Sequence, residues 1–142
     1  ISRSFDLSED EFVVAISKSL GVDREKAEEL KKKYGLVPTT IPEGREVRDV
    51  LIPLLNSLLD EIEQTFFTFK NTEGRTVEKI ILSGGSASLP GLLQYFKEYF
   101  KIEVEVANPF KEIYFPAILE ETLKELGPSF AISVGLALRA FE

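Results

Sequence analysis

The stretch best suited to chemistry is Ile80-Ile81-Leu82-Ser83-Gly84-Gly85-Ser86-Ala87-Ser88-Leu89-Pro90-Gly91. Its apolar run ends at a pair of glycines. Pro90 suits the first position of a helix, where its missing N–H costs nothing. A strand that runs into glycines and then a helix sets backbone N–H groups and the positive helix end at a strand's carboxyl edge. Open α/β sheets bind nucleotides and other anions there. Gly84 and Gly85 lack β-carbons, so the turn can be tight and a ligand can come close to the backbone. A tight turn without a ligand accounts for the same two glycines. Acidic residues offer a weaker source of chemistry. Glu120, Glu121 and Glu125 would supply a glycosidase-like carboxylate pair, but a solvated helix face explains them better.

Composition bounds the rest. The 142 residues, 44% of them hydrophobic, suffice for one domain with a core. Cysteine and histidine are absent, which excludes disulfides, thiolate chemistry, histidine–metal sites and Ser-His catalysis. The 24 acidic and 17 basic residues give a net charge of −7. That balance argues against nucleic acid or an anionic membrane as a partner of the whole surface. No apolar run reaches the length of a membrane span, and no signal peptide is visible. Methionine is also absent, so the chain reads as one piece of a longer protein.

The elements that must position the glycine stretch follow from periodicity and caps. Residues 1–7 read as a strand. Ser8 with Glu11 forms a capping box, and the helix after it buries Phe12, Val13, Ile16 and Leu20 before Gly21 stops it. Asp23 caps a helix over residues 24–34, ended by Gly35. Its acids come early and its bases late, as the helix dipole prefers, and its charge run reads as a solvated face. After a loop, a long amphipathic helix covers residues 45–69, with Val47, Val50, Leu51, Leu54, Leu55, Leu58, Leu59, Ile62 and Phe66 on one stripe. Pro53 should kink it or delay its start. Residues 71–76 are a turn.

A strand over residues 77–83, without polar alternation, should be covered on both faces. The helix over residues 90–100 buries Leu92, Leu93, Phe96 and Phe100. The strand over residues 102–106 alternates, so it belongs near a sheet edge. Strand, helix, strand at this spacing is a right-handed parallel crossover. A helix over residues 116–126 breaks at Gly127-Pro128. The last helix, residues 129–141, is apolar nearly all round and needs cover on more than one side. One of the covering layers need not belong to this chain.

Residues 82–91 are similar to the adenosine motif of actin-like ATPases. Further segments narrow the resemblance. They are Glu103-Val104-Glu105-Val106-Ala107-Asn108-Pro109-Phe110, the ending Gly127-Pro128-Ser129-Phe130-Ala131-Ile132-Ser133-Val134-Gly135-Leu136-Ala137-Leu138-Arg139, and Glu28-Glu29-Leu30-Lys31 before Tyr34-Gly35. Together they resemble the PilM family of type IV pilus assembly, actin-like relatives of FtsA, over residues 2–139. The glycine motif is shared across the superfamily, and the other segments favour PilM.

The resemblance implies an α/β fold: part of the second domain of an actin-like (ribonuclease H-like) ATPase, with an incomplete sheet and packed helices. The chain would be a single module, with residues 7–44 a smaller helical subdomain and residues 1–6 and 45–142 the main α/β subdomain. In such proteins two related domains clasp ATP with Mg2+. By that match Glu28, Lys31 and Lys32 contact ribose and adenine, and Gly84, Gly85 and Ser86 line the other side of the adenosine. A solvated face also accounts for Glu28, Lys31 and Lys32. The family's two phosphate-binding loops, its first domain and the first two strands of the second domain's sheet are not in this sequence and would precede Ile1. The chain is therefore expected to need the remaining N-terminal half of the same protein, and alone to hydrolyse no ATP.

The function so implied is a cytoplasmic nucleotide-binding scaffold, peripheral at the inner membrane through PilN and PilO. A short cytoplasmic segment of PilN docks on the family's first domain, a groove missing from this sequence. Alternatives are an active actin-like ATPase, an FtsA-like division protein and the actin-like protein of type II secretion. The apolar last helix, with no basic amphipathic tail after it, disfavours the FtsA type. The type II secretion protein would continue into a membrane span.

Overall fold

A computed structural model describes residues 9–140. The expected strand over residues 1–7, the Ser8 cap and Phe141 lie outside the described residues. The chain forms two compact units. One holds the described residues up to Glu78 together with Leu89–Gly91, and the other holds Lys79–Ser88 and the described residues from Leu92 onward.

Three mutually packed helices make the first unit: α1 (Glu9–Leu20), α2 (Arg24–Tyr34) and α3 (Pro42–Glu73). Helix α1 buries Phe12, Val13 and Ile16, one face at helical spacing. The Asp23 carboxylate accepts the Lys26 N–H at 2.8 Å and so satisfies one orphan donor at the start of α2. Helix α3 starts earlier than the apolar stripe suggests, because Pro42 fits a first turn that needs no N–H. Pro53 neither delays nor ends it. Val47, Leu51, Leu55 and Leu59, none more than 1% exposed, anchor the helix on both sides of Pro53. Pro53 itself is exposed, so water can satisfy the carbonyl that its ring leaves without a partner. Gly74, at φ +66°, closes α3 by donating its N–H to the Lys70 carbonyl at 3.0 Å.

The second unit is built on a two-stranded parallel sheet, β1 (Lys79–Leu82) and β2 (Glu103–Val106). Its register pairs Lys79 with Glu103, Ile80 with Val104, Ile81 with Glu105 and Leu82 with Val106. The Ala107 N–H extends the ladder to the Leu82 carbonyl at 2.8 Å. Helix α4 (Leu92–Phe100) connects the strands and packs on β2. It starts at Leu92 rather than Pro90, because Gly91 has φ +82° and a 3-10 turn already occupies Gly85–Ser88. Leu92 and Phe96 are buried, and Leu93 and Phe100 are half-buried.

β2 has the expected wet face: Val104 is buried while Glu103 and Glu105 are exposed. β1 departs from expectation, since Ile81 is 63% exposed and the strand is covered on one face only. No further strand lies beside it among the described residues.

The two expected C-terminal helices are one, α5 (Glu120–Arg139), preceded by a 3-10 turn at Ala117–Leu119. Gly127 and Pro128 sit inside it, both buried. The ring of Pro109 lies 3.2 Å from where a Gly127 β-carbon would be, and the Gly84 N–H donates to the Pro128 carbonyl at 2.8 Å. These contacts hold the helix through a residue that otherwise interrupts it. The apolar side of α5 lacks the expected cover, with Ile132 77% and Leu136 63% exposed. Among the described residues no helix is long and apolar enough to cross a membrane.

Candidate functional site

The residues named by the adenosine resemblance divide between the units. Glu28, Lys31 and Lys32 all belong to α2 of the first, and Gly84, Gly85 and Ser86 all belong to the second.

On α2 the charge run is not uniform. Lys32 reaches Glu28 one turn back at 2.8 Å, and both side chains stay largely in water. That bond, with Lys31 and Arg24 adding smaller effects, holds the Glu28 carboxyl below its ordinary value of 4.5. Lys26 and Glu29, 2.8 Å apart, favour each other's charged forms in the same way. Arg24 pairs with Asp10 of α1.

Lys31 breaks the pattern at 3% exposure. Its position explains the burial. The buried residues of α2 are Ala27, Leu30, Lys31 and Tyr34, the i, i+3, i+4, i+7 series of a core face. Lys32 is exposed and Glu28 half-exposed, so the solvated-face reading fails only at Lys31. Reading the spacing from Ala27 rather than the charge run would have found it.

The glycine turn follows directly from β1. Gly84 has φ +92°, a conformation that L side chains rarely adopt, and no heavy atom lies within 4 Å of where its β-carbon would be. Its N–H is already committed to Pro128, and its carbonyl accepts the Ala87 N–H at 3.1 Å. The first amides of a helical turn have no partner within that turn. The donors that the turn can offer a ligand are therefore those of Gly85 and Ser86. Sequence spacing did not reveal that Gly84 contributes shape and open space but no donor.

Below the turn, Lys79 bridges both exposed carboxylates of β2, with Nζ 2.7 Å from Glu105 and 3.3 Å from Glu103. Lys79 holds the Glu105 carboxyl below its ordinary value. This cluster ties the strands together at one end.

The turn is open, with backbone that a ligand can approach closely at Gly84. No group of three or more His, Cys, Asp or Glu among the described residues is placed to hold a metal ion.

A family model described as type IV pilus assembly protein PilM matches residues 3–141. The chain is also similar to a solved chain of a PilM-PilN type IV pilus biogenesis complex, at 30% identity and a TM-score of 0.80. That match covers 99% of this chain and 39% of the solved one.

Proposed function

The chain belongs to the type IV pilus assembly PilM family, and from that premise we propose that it supplies the adenosine-contacting part of a nucleotide-binding scaffold. The observation that carries this reading is the near-complete match, 99% of the chain at 30% identity, to a member solved with PilN. Gly85 and Ser86 offer amides to the adenosine, Gly84 gives room for it, and Glu28 and Lys32 contact ribose and adenine from α2, while the buried Lys31 belongs to the packed face of that helix. ATP with Mg2+ supplies phosphates and charge that the rest of the protein must hold. The chain spans only 39% of the solved relative. Phosphate binding, any turnover and the groove for PilN fall to the part it does not match.

In this reading nucleotide acts as a conformational ligand, favouring the state it binds better by its differential affinity. The protein works in the cytoplasm and is held at the inner membrane through PilN and PilO. The test is calorimetric titration of Mg-ATP into this chain, alone and with the unmatched part of the solved relative supplied. Binding only in the second case supports the proposal. Absence of binding in both leaves the glycine turn structural. Tight binding by the chain alone would refute the division of labour.

A further inference from the structure

The two glycines nearest the end of α2 and the start of α4 are interlocked. A β-carbon on Gly35 would lie 2.4 Å from the Pro90 carbonyl oxygen and 3.0 Å from the Pro90 ring. One on Gly91 would lie 2.9 Å from both the Leu36 carbonyl carbon and the Val37 nitrogen. The obstructing atoms are backbone and a proline ring, so neither clash is relieved by turning a side chain.

Leu36, only 3% exposed, is held on both sides of its peptide unit. Its N–H donates to the Pro90 carbonyl at 2.8 Å, and its carbonyl accepts from Arg48 Nε at 3.1 Å. Gly35 in turn donates its N–H to the Lys31 carbonyl at 3.0 Å. The last turn of α2 is thus tied through Gly35 and Leu36 to Leu89–Gly91, the residues that follow the glycine turn in the chain.

We propose that Gly35 and Gly91 are positioning residues that set where α2 presents Glu28 and Lys32 to a nucleotide. The proposal rests on the nucleotide reading above. A β-carbon at either site forces a backbone shift on the order of 1 Å, because van der Waals contact cannot be compressed further. The shift is passed along α2 as a rigid element. Gly21 and Gly74 provide the comparison. They have φ +65° and +66°, but nothing lies within 4 Å of their β-carbon positions. Alanine there adds backbone strain without a collision, whereas Gly35, at ψ −124° against 14° for Gly74, lies outside the left-handed region and adds more strain as well.

The experiment is Mg-ATP titration of five variants, Gly35→Ala, Gly91→Ala, Gly21→Ala, Gly74→Ala and Arg48→Lys, each with the unmatched part of the solved relative supplied. Thermal midpoints are recorded alongside to read the structural cost separately. Gly35→Ala and Gly91→Ala should weaken ATP by about tenfold or more, the loss of one hydrogen bond to a charged group. Gly21→Ala and Gly74→Ala should change affinity by less than about twofold, with a smaller loss of thermal midpoint because no collision is added. Arg48→Lys keeps the charge and loses the directed Nε donor, and should weaken ATP about threefold.

Equal affinities for all four glycine variants would overturn the positioning role. If the colliding variants fail to fold, Arg48→Lys decides: an unchanged affinity overturns the role and a loss supports it. If the unsubstituted protein binds no ATP, the nucleotide reading fails, and the positioning role fails with it before any variant is made.

Discussion

Ile81 and Val104 lie on opposite faces of the same small sheet, and truncating each to alanine should give opposite results from what side-chain size suggests. Val104 is 1% exposed, and Val104→Ala removes two carbons. At about 0.8 kcal/mol per buried carbon, with a cavity contribution where α4 cannot collapse onto β2, the loss is about 2–3 kcal/mol. Ile81→Ala removes three carbons, but Ile81 is 63% exposed. Little more than a third of its contact is lost and no cavity forms, so the cost is under about 1 kcal/mol.

Urea denaturation followed by circular dichroism measures both. The midpoint should fall more for Val104→Ala at an unchanged denaturant slope. An Ile81→Ala loss equal to or larger than that of Val104→Ala would refute the one-sided sheet. The difference should close once the unmatched part of the solved relative is supplied. Ile81→Ala should then cost about 2–3 kcal/mol as well, since the apolar run of β1 would have cover on both faces.

Removing the α2 cap with Asp23→Ala should cost about 1 kcal/mol in the same denaturation assay, because the Lys26 N–H loses its acceptor. Lys32→Met should raise the Glu28 carboxyl toward 4.5, read by NMR titration of its side chain. The sign follows from the lowered folded value. The pair's stabilisation is present above the unfolded value and is lost as pH falls through the lower folded one. An unmoved Glu28 titration would mean that the pair does not persist in solution.

Much of the first unit was legible because its signals are local. Asp23 and Gly35 mark helix ends, and the α3 stripe marks its buried face, although α3 runs on to Glu73 through residues expected to be a turn. Pro128 does not break its helix and Pro53 does not delay its own, since a ring's cost depends on what surrounds it. Pro53 faces water on a helix anchored on both sides of it, and Pro128 is held by the Gly84 N–H at its carbonyl, beside a Gly127 that lies against Pro109. Neither neighbourhood can be read from spacing.

The site was legible in part. The glycine stretch announced a turn after a strand, but the spent Gly84 amide depends on a carbonyl 44 positions away in the chain, at Pro128. Lys31 was masked by its charged neighbours, although its helical position already put it on the core face. The exposure of Ile81 and of the α5 stripe could not be read from periodicity. An apolar run says that cover is needed and not which polypeptide provides it.

The chain passes between its two units at 78/79, at 88/89 and again at 91/92. Neither unit is therefore one contiguous segment of sequence. A recombination event with a single crossover cannot replace one unit whole. An incoming segment that begins at β1 brings its own Leu89–Gly91, which must still mesh with Gly35 and Leu36 of the α2 already in place. Such chimeras should be tolerated only between parents whose residues agree at both ends of that interlock. Because of this threading, a substitution at Gly35 should be accepted only with compensating change at Pro90 or Gly91.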